Sequence, residues 1–325
     1  MQIKEIKKNT YLDMEQNLGN LEVFVEADKG KETEGKIFLW AQLLDEQGEE
    51  VDRIFPMELE AQTQFCMEVV NPKLWNTDYP FLYELVLELR DEEHRLLGCT
   101  SQWVGFYQIS VTEEFLLLNE KPIIWKMLPT YGKSYLAIKS LAQAMASDGE
   151  IGDQAEEILF ELRRAQYNCI SIPTHLYSNR FFWSCAEHGI VLLDSTVDIT
   201  GCKNVLRSGM DAENSDGIHP SFEIQVVEDG ALIENRSFFV NTNVYGLCCE
   251  ILSEHRILQQ SVVEADISAG KKRYLDLPFI KLRNPGIYLY RVSLCLKKDM
   301  PWGEKGEVIA AGESLISNLW LNEAE

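Results

Sequence analysis

The stretch that decides the fold is residues 122–194, in which short apolar segments alternate with amphipathic ones. In order, its segments are IIWK (123–126), DQAEEILFELRRA (153–165), NCISIP (168–173), NRFFWSCAEHG (179–189) and IVLLD (190–194). The first, third and fifth are typical of buried strands, and the other two have the apolar spacing of helices. Strands that alternate with helices predict a parallel sheet covered by helices.

Both predicted helices carry capping signals. Asp153, with Glu156 three residues later, predicts a capping box at the start of the first helix. Gly189 predicts the end of the second helix, where His188 suits the negative end of the helix dipole. Another amphipathic stretch, residues 136–145, predicts an inserted helix. The pattern then stops, after three β/α steps.

In the two flanks, apolar residues recur at every second position, as in Leu21, Val23 and Val25. This pattern predicts one antiparallel sandwich over residues 1–106 and a second over residues 217–325. The central residues, 107–216, would hold the β/α steps. They end in a polar stretch, residues 195–217, that has no periodicity, so we expect it to be a mobile linker.

The composition restricts the classes of partner. The chain has 52 acidic and 30 basic residues and a formal net charge of −22, so its surface would repel nucleic-acid phosphates. No run approaches the roughly 20 apolar residues of a membrane helix, and the first residues lack the apolar core of a secretory signal. We therefore expect a cytoplasmic protein that binds neither nucleic acid nor membrane, with its eight cysteines reduced.

Motifs of common cofactor and catalytic sites are missing from the sequence. It has no GxGxxG, GxxxxGK[ST], GxSxG or HExxH, and its five histidines have no metal-ligand spacing with cysteine. We expect no cofactor and no metal. The pair Asn119-Glu120 is interpreted as part of a turn, and Trp75 and Tyr83 as core residues rather than a sugar platform.

Several segments resemble the β-galactosidase type of family 2 glycoside hydrolases. The resemblance is strongest in NPKLWNTDYPFLYELVLEL (71–89), LLLNEKPIIWK (116–126) and NRSFFVNTNVYGLCCEIL (235–252). It implies a multidomain α+β fold, in which two immunoglobulin-like β-sandwiches flank a truncated (β/α)8-barrel remnant of about three β/α steps. It also implies carbohydrate chemistry, in which retaining hydrolysis needs two carboxyl groups about 5 Å apart.

The segments that resemble the family's sugar site depart from its pattern. After the first barrel strand the family has a run close to RGVNRHEH, whereas residues 126–131 read KMLPTY. After the second strand the family has Ser-His-Tyr-Pro-Asn, and His175 lies one position beyond its histidine. After the third strand the family's acidic and histidine positions are lost. We assign no catalytic residue, and a residual strand-tip pocket would consist of Lys126, Tyr131, Thr174, His175 and Asp194.

The barrel strands that carry the family's acid/base and nucleophilic glutamates have no counterpart. A β/α step takes roughly 30 residues, so the five further steps of a closed barrel would need on the order of 150. Only residues 195–216 stand between the third step and the second sandwich. We also expect the family's N-terminal sugar-binding sandwich to be missing.

Three functional hypotheses remain. The first is a catalytically inactive family member that acts as a carbohydrate-related binding or interaction protein. The second is a hydrolase that forms only in complex, when another chain supplies the missing strands. The third is a decaying gene product or an unrecognised activity. Because a cut sheet would leave apolar strands with open edges, we also expect a two-fold dimer through the central remnant.

Overall fold

A computed structural model describes residues 2–28, 35–130, 132–145, 152–207, 221–227, 230–253, 256–276, 278, 285–300 and 302–318. The chain is rich in β-strands and divides into two compact units, Met1–Arg207 and Ser208–Glu325. It therefore has the β-rich multidomain fold that the sequence predicts. None of the helices in these ranges is long and apolar enough to cross a membrane.

The first unit begins with two antiparallel sheets. Their strands are β1 (Gln2–Asp13), β2 (Leu18–Asp28), β3 (Phe38–Leu44), β4 (Glu50–Glu58), β5 (Gln62–Val70), β6 (Tyr83–Arg90) and β7 (Leu96–Val104). They are ordered β1-β2-β5 in one sheet and β4-β3-β6-β7 in the other. Alternate side chains of β3, β5 and β6 are buried, because successive residues of a strand point to opposite faces.

A short hairpin follows these sheets, formed by β8 (Ile109–Val111) and β9 (Leu116–Leu118). The next two residues, Asn119 and Glu120, have φ angles of 47° and 63°, which belong to a turn. The buried Asn119 accepts a hydrogen bond from the Gln108 amide at 2.9 Å and donates one to the Trp75 carbonyl at 3.0 Å. The turn role predicted for this pair is confirmed.

A four-stranded parallel sheet forms the rest of the first unit. Its strands are β10 (Trp125–Met127), β11 (Cys169–Ser171), β12 (Val191–Leu193) and β13 (Val205–Arg207), in the order β12-β11-β10-β13. The helices α1 (Gly132–Met145), α2 (Gly152–Arg164) and α3 (Asn179–Glu187) follow β10 and β11 in the chain. Helix and strand residues share one core: Leu128, Ile138, Leu141, Ala142, Leu159, Leu162, Ile170, Ile172, Phe181, Cys185, Ile190 and Leu192.

Two sequence predictions need correction at β13. The sequence predicted three parallel strands in about three β/α steps. The structure has a fourth strand, β13, which pairs in parallel with β10. The predicted mobile linker, residues 195–217, is wrong for its first part, since Ile199, Cys202 and Asn204 are buried. A strand of three residues is too short to show periodicity. Residues 208–217 lie outside the described residues.

The helix ends also differ in detail from the prediction. Helix α2 begins at Gly152, so Asp153 lies inside its first turn. Glu156 contacts another helix end, with its Oε2 atom 3.4 Å from Nε2 of His188. The side chain of Asp153 lies outside the described residues, so the capping box stays a prediction. Helix α3 is capped by Ser178, whose side chain accepts from the Phe181 amide at 3.3 Å.

The C-terminal end of α3 is docked against the segment that precedes β6. The buried Trp75 donates its indole hydrogen to the Ala186 carbonyl at 2.8 Å. From α2, Arg163 donates to the carbonyls of Thr77 and of Asp78, the latter at 3.0 Å. Trp75 is thus a core residue, as its sequence context predicted.

The apolar strands of the parallel sheet are already covered in the chain. Ile123, Trp125, Ile190 and Leu192 are all less than 9% exposed. Of the apolar strand residues from which the dimer was predicted, all except Ile124 are therefore buried in this structure, and Ile124 is 44% exposed.

The second unit also contains two antiparallel sheets. Its strands are β14 (Phe222–Val227), β15 (Gly230–Asn235), β16 (Tyr245–Ser253), β17 (Arg256–Val263), β18 (Lys272–Asp276), β19 (Gly286–Leu296) and β20 (Val308–Asn318). The sheets have the orders β14-β15-β18 and β17-β16-β19-β20. The buried Asn235 donates to the carbonyls of Val240 and Ile267, so its side chain ties β15 to two loops of this unit.

Candidate functional site

Two residues of the predicted strand-tip pocket meet at the carboxyl ends of β11 and β12. Asp194 accepts hydrogen bonds from the Thr174 hydroxyl and, at 3.3 Å, from the Thr174 amide. Its other oxygen accepts from the Thr196 amide and hydroxyl, both at 2.7 Å. These hydrogen bonds, that of the Thr174 hydroxyl first, hold the pKa of Asp194 well below its ordinary value. The carboxylate is therefore ionised and joins two loops.

The other predicted pocket residues do not join them. His175 is exposed in the short 3-10 turn Thr174–Leu176, and no hydrogen bond of the described residues links it to Asp194. Lys126 donates from Nζ to the Ala165 carbonyl at 3.0 Å, before β11 begins. Because the strands are parallel, its amine lies at the opposite end of the sheet from Asp194. Tyr131 lies outside the described residues.

A concave site lies elsewhere in the first unit. A cleft of about 950 Å³ opens between β1, the edge strand β7 and helices α2 and α3. Its volume is in the range of small-molecule sites. The polar and aromatic side chains considered below that line it are Gln102, Trp103, Glu156, Arg180, Trp183 and Glu187.

Lys8 connects the walls of this cleft. Its Nζ atom donates to the Trp103 carbonyl at 2.6 Å and to Oε1 of Gln102 at 3.3 Å, and lies 4.0 Å from the ring centroid of Trp183. Burial of the ammonium group lowers the pKa of Lys8 to about 7, and the charge of Glu187 opposes this shift. The contact with Trp183 is a cation–π contact whenever the amine is protonated.

The pKa of Glu187, at the end of α3, is shifted toward the same value. Burial, followed by the nearby charge of Glu156, raises the pKa of Glu187 to about 7, while Lys8 acts in the opposite direction. Desolvation therefore outweighs the attraction between Lys8 and Glu187 at both groups. Near neutral pH the carboxyl group can both donate and accept hydrogen bonds.

A buried histidine lies behind the cleft wall. Nδ1 of His188 is 2.9 Å from the Ser184 carbonyl, which can only accept, so Nδ1 carries a hydrogen. Burial lowers the pKa of His188, which favours the neutral ring. Nε2 then faces Glu156 at 3.4 Å, within ion-pair distance but without hydrogen-bond geometry. The contact becomes favourable when either group is protonated.

Sequence reasoning missed this cleft. It assigned Glu156 and His188 to helix ends and did not consider Lys8 or Trp183. The lining residues come from β1, β7, α2 and α3, which only the tertiary structure brings together. The one local signal is the dense aromatic run Phe181, Phe182 and Trp183 on a short helix.

No metal site is found in the described parts of the chain. No group of three His, Cys, Asp or Glu side chains there could hold a metal ion. Of the eight cysteines, Cys66 and Cys99 are exposed and Cys248 is half-buried, while the other five are buried.

Sequence models of two families match the chain. The model described as glycosyl hydrolases family 2 matches residues 1–106, and the model described as β-galactosidase, domain 4, matches residues 231–317. Together the matches span more than half of the chain, one in each compact unit.

A curated relative is similar to part of the chain. The β-galactosidase of Halalkalibacterium halodurans is 26% identical over 186 residues, which cover 56% of this chain. The match covers only 17% of that protein's length.

Solved structures show weaker likeness. The β-glucuronidase of Parabacteroides merdae matches with 19% identity and a TM-score of 0.45, covering 59% of this chain and 24% of its own. β-Glucuronidase 3 of Bacteroides uniformis matches with 18% identity and a TM-score of 0.44, covering 58% and 22%.

Proposed function

The chain belongs to glycoside hydrolase family 2, and on that premise we propose that it binds carbohydrate or a partner without hydrolysing glycosides as an isolated chain. In this proposal two immunoglobulin-like sandwiches, in residues 1–106 and 217–325, flank a reduced barrel. The first has sheets of three and four strands, as such sandwiches commonly do.

The strand order β12-β11-β10-β13 carries the proposal. In a closed (β/α)8 barrel, the first strand is flanked by the second and by the last. Since β10 has β11 on one side and β13 on the other, β13 takes the place of a last strand. Residues 194–204, which connect β12 to β13, leave no room for the intervening β/α steps.

The reduced barrel lacks the strand tips on which glycoside hydrolysis depends. The family's two catalytic glutamates lie on strands that have no counterpart between β12 and β13. Retaining hydrolysis requires a protonated and an ionised carboxyl group about 5 Å apart. At the tips of β11 and β12, Asp194 is ionised and occupied by Thr174 and Thr196. No described acidic side chain is among the causes of its shifted pKa.

The alternative, a barrel completed by another chain, is less well supported. Added strands would have to join β12 and β13 and pack on the inner face of the sheet. The side chains that alternate with the helix-side core, Cys169, Val191 and Leu193, are already buried. A completing chain would therefore have to displace existing cover before it could form a site.

Assays of the purified full chain test the proposal. p-Nitrophenyl β-galactoside, β-glucuronide and β-mannoside should release no nitrophenol above a protein-free control. Turnover that follows the protein through gel filtration and scales with its concentration would overturn the proposal. Asp194→Asn then identifies the source, because loss of turnover would place the chemistry at the strand tips.

A further inference from the structure

We propose that the edge strand β7 is a self-association surface, on which β7 of a second copy of this chain pairs in antiparallel orientation about a two-fold axis at Thr100. Such pairing is independent of whether the chain binds or cleaves sugars. It also uses a different edge from the dimer predicted at the parallel sheet. Three features of β7 support it: an open backbone edge, the absence of charge, and a sequence that complements itself.

The backbone edge of β7 is open. Among the described strands β7 pairs only with β6, and seven consecutive residues, 97–103, line the cleft. The Trp103 carbonyl accepts from Nζ of Lys8, so the backbone of Trp103 points away from β6. In an antiparallel pair this direction alternates along the strand, so Cys99 and Ser101 also present N–H and C=O groups to the cleft. An edge of this kind is a template for another strand.

The edge carries none of the groups that usually block such pairing. Strand β7 reads LLGCTSQWV and has neither a charged residue nor a proline. The other edge strands of the two antiparallel sheets of the first unit are β1, β4 and β5, and each carries at least one charged residue. Leu96, Leu97 and Trp103 are 54%, 52% and 42% exposed. In a chain of net charge −22, a neutral strand with exposed apolar side chains is a surface on which two copies can approach each other.

The sequence of β7 is complementary to itself when Thr100 lies on the axis. This register pairs the whole strand, since Thr100 is the middle of its nine residues. Cys99 then faces Ser101 of the partner subunit, and Leu97 faces Trp103 of the partner subunit. An aromatic–aliphatic pair and a Thr–Thr pair are both favourable on neighbouring strands. A shift by one residue would oppose Cys99 to a residue whose backbone is bonded to β6, so donors and acceptors would no longer match.

The charges at the two ends of β7 select a second copy as the partner. The turn before β7, residues 91–95, reads DEEHR and has three acidic residues and one arginine. At the other end, the Lys8 amine contacts both the Trp103 carbonyl and the Trp183 ring, so α3 borders this end. Arg180, one turn before Trp183 on α3, is exposed and has no ion pair within the described residues. Antiparallel pairing brings the acidic turn of each copy toward α3 of the other, which is electrostatically favourable.

Disulfide mapping in the full chain tests the register. Both variants carry Cys66→Ser, which removes the exposed thiol outside β7. The first variant keeps Cys99, and the second carries Cys99→Ser and Ser101→Cys. Directly opposed residues lie about 5.5 Å apart at Cα, which a disulfide can bridge, whereas diagonal neighbours about 7 to 8 Å apart exceed its reach. We expect mild oxidation with copper phenanthroline to give a cross-linked species of twice 37.3 kDa when the variants are mixed, and not with either variant alone.

Analytical ultracentrifugation gives a second test that needs no oxidation. Ser101→Lys places a charge on the open edge of β7, so it should weaken self-association at least about tenfold, or 1.4 kcal/mol. Gln64→Lys is the matched control, because Gln64 is exposed on the edge strand β5 and the substitution adds the same charge.

Each contrary result overturns a stated part of the proposal. The absence of a cross-link in the mixture, with both variants folded, overturns the pairing of β7. A cross-link in the first variant alone would place Cys99 opposite Cys99 of the partner subunit and overturn the register. Self-association that Ser101→Lys and Gln64→Lys leave equally strong would place the contact elsewhere, such as at β12. A chain that stays monomeric at every concentration while an extended peptide binds β7 would overturn the second copy as its partner.

Discussion

Asn204 and Leu116 form a reciprocal hydrogen-bonded pair. The side-chain oxygen of Asn204 accepts from the Leu116 amide at 3.0 Å, and its amide nitrogen donates to the Leu116 carbonyl at 2.7 Å. The same nitrogen donates to the Ile123 carbonyl at 2.7 Å, and the Asn204 carbonyl accepts from the Trp125 amide at 2.8 Å. One buried side chain thus binds β9 and the start of β10, and places β13 beside β10.

Asn204→Ala should therefore destabilise the first unit. The substitution leaves the buried Leu116 amide and the Ile123 carbonyl without these partners, whereas the Leu116 carbonyl still accepts from the Trp125 indole at 2.7 Å. The loss should cost about 2 to 4 kcal/mol. Urea unfolding followed by circular dichroism measures the loss. Asn9→Ala, at an exposed position of β1, is the control and should change stability by less than about 0.5 kcal/mol. Equal stability of the two variants would show that the Asn204 contacts are not needed.

Gly189 and Gly48 share a left-handed backbone conformation, but only Gly189 also lacks the space for a side chain. Their φ angles are 70° and 77°, so alanine is strained by about 1 to 2 kcal/mol at either position. At Gly48 an added Cβ meets nothing within 4 Å, whereas at Gly189 it would lie 2.7 Å from the Thr77 carbonyl oxygen. We expect Gly189→Ala to lower the free energy of unfolding by at least about 1 kcal/mol more than Gly48→Ala.

The same pair of variants tests how α3 is docked. Gly189 follows the end of α3, close to the bond from Trp75 to Ala186. If Gly189→Ala and Gly48→Ala have the same thermal stability, the contact between α3 and residues 75–78 is looser than described.

Sequence reasoning succeeded where a pattern extended over many residues. Helices α2 and α3 and strands β11 and β12 combine apolar periodicity with flanking polar or glycine residues, so they could be predicted. Strand β13 could not, because three residues carry no period and its position depends on Asn204. Strand β1 was also missed, since three lysines and one glutamate interrupt its apolar pattern.

The candidate sites could likewise be predicted only in part. Thr174 and Asp194 could be predicted to meet, because the carboxyl ends of neighbouring parallel strands lie together. The strand position of Lys126 could not reveal that its flexible side chain reaches the other end of the sheet. The cleft was beyond prediction, because Lys8 and Glu187 approach only after the first sheets pack on the helices.

The two-fold dimer stays a prediction, and it now rests on the backbone edge of β12. The apolar side chains of β12 are buried, so what remains is its backbone edge, which pairs only with β11 among the described strands. A dimer formed by backbone hydrogen bonds alone should dissociate on dilution. Light scattering across a concentration series measures this, and a mass that stays at 37.3 kDa throughout would contradict the dimer. Leu192→Asp should unfold the first unit, because Leu192 belongs to its helix-side core.

Lys8 and Glu187 should make stability depend on pH in opposite directions. For Glu187 the pKa rises from 4.5 to about 7 on folding, so the folded state binds more protons and stability falls between these values. For Lys8 the pKa falls from 10.5 to about 7, so the unfolded state binds more protons and stability rises above pH 7. Together they predict a local minimum of stability near neutral pH.

Lys8→Met tests this pair, with the exposed Lys133→Met as control. The variant should lose the rise in unfolding free energy above pH 7, which is at most about 1.4 kcal/mol per pH unit for one proton. Glu187→Gln should instead lose the fall between pH 4.5 and 7. The other charged groups near the pair, Glu156, Arg180 and His188, are unchanged in both variants, so their contributions cancel to first order. Urea unfolding at a series of pH values measures the slopes. A Lys8→Met profile parallel to that of Lys133→Met would show that the Lys8 amine is not desolvated in the cleft wall.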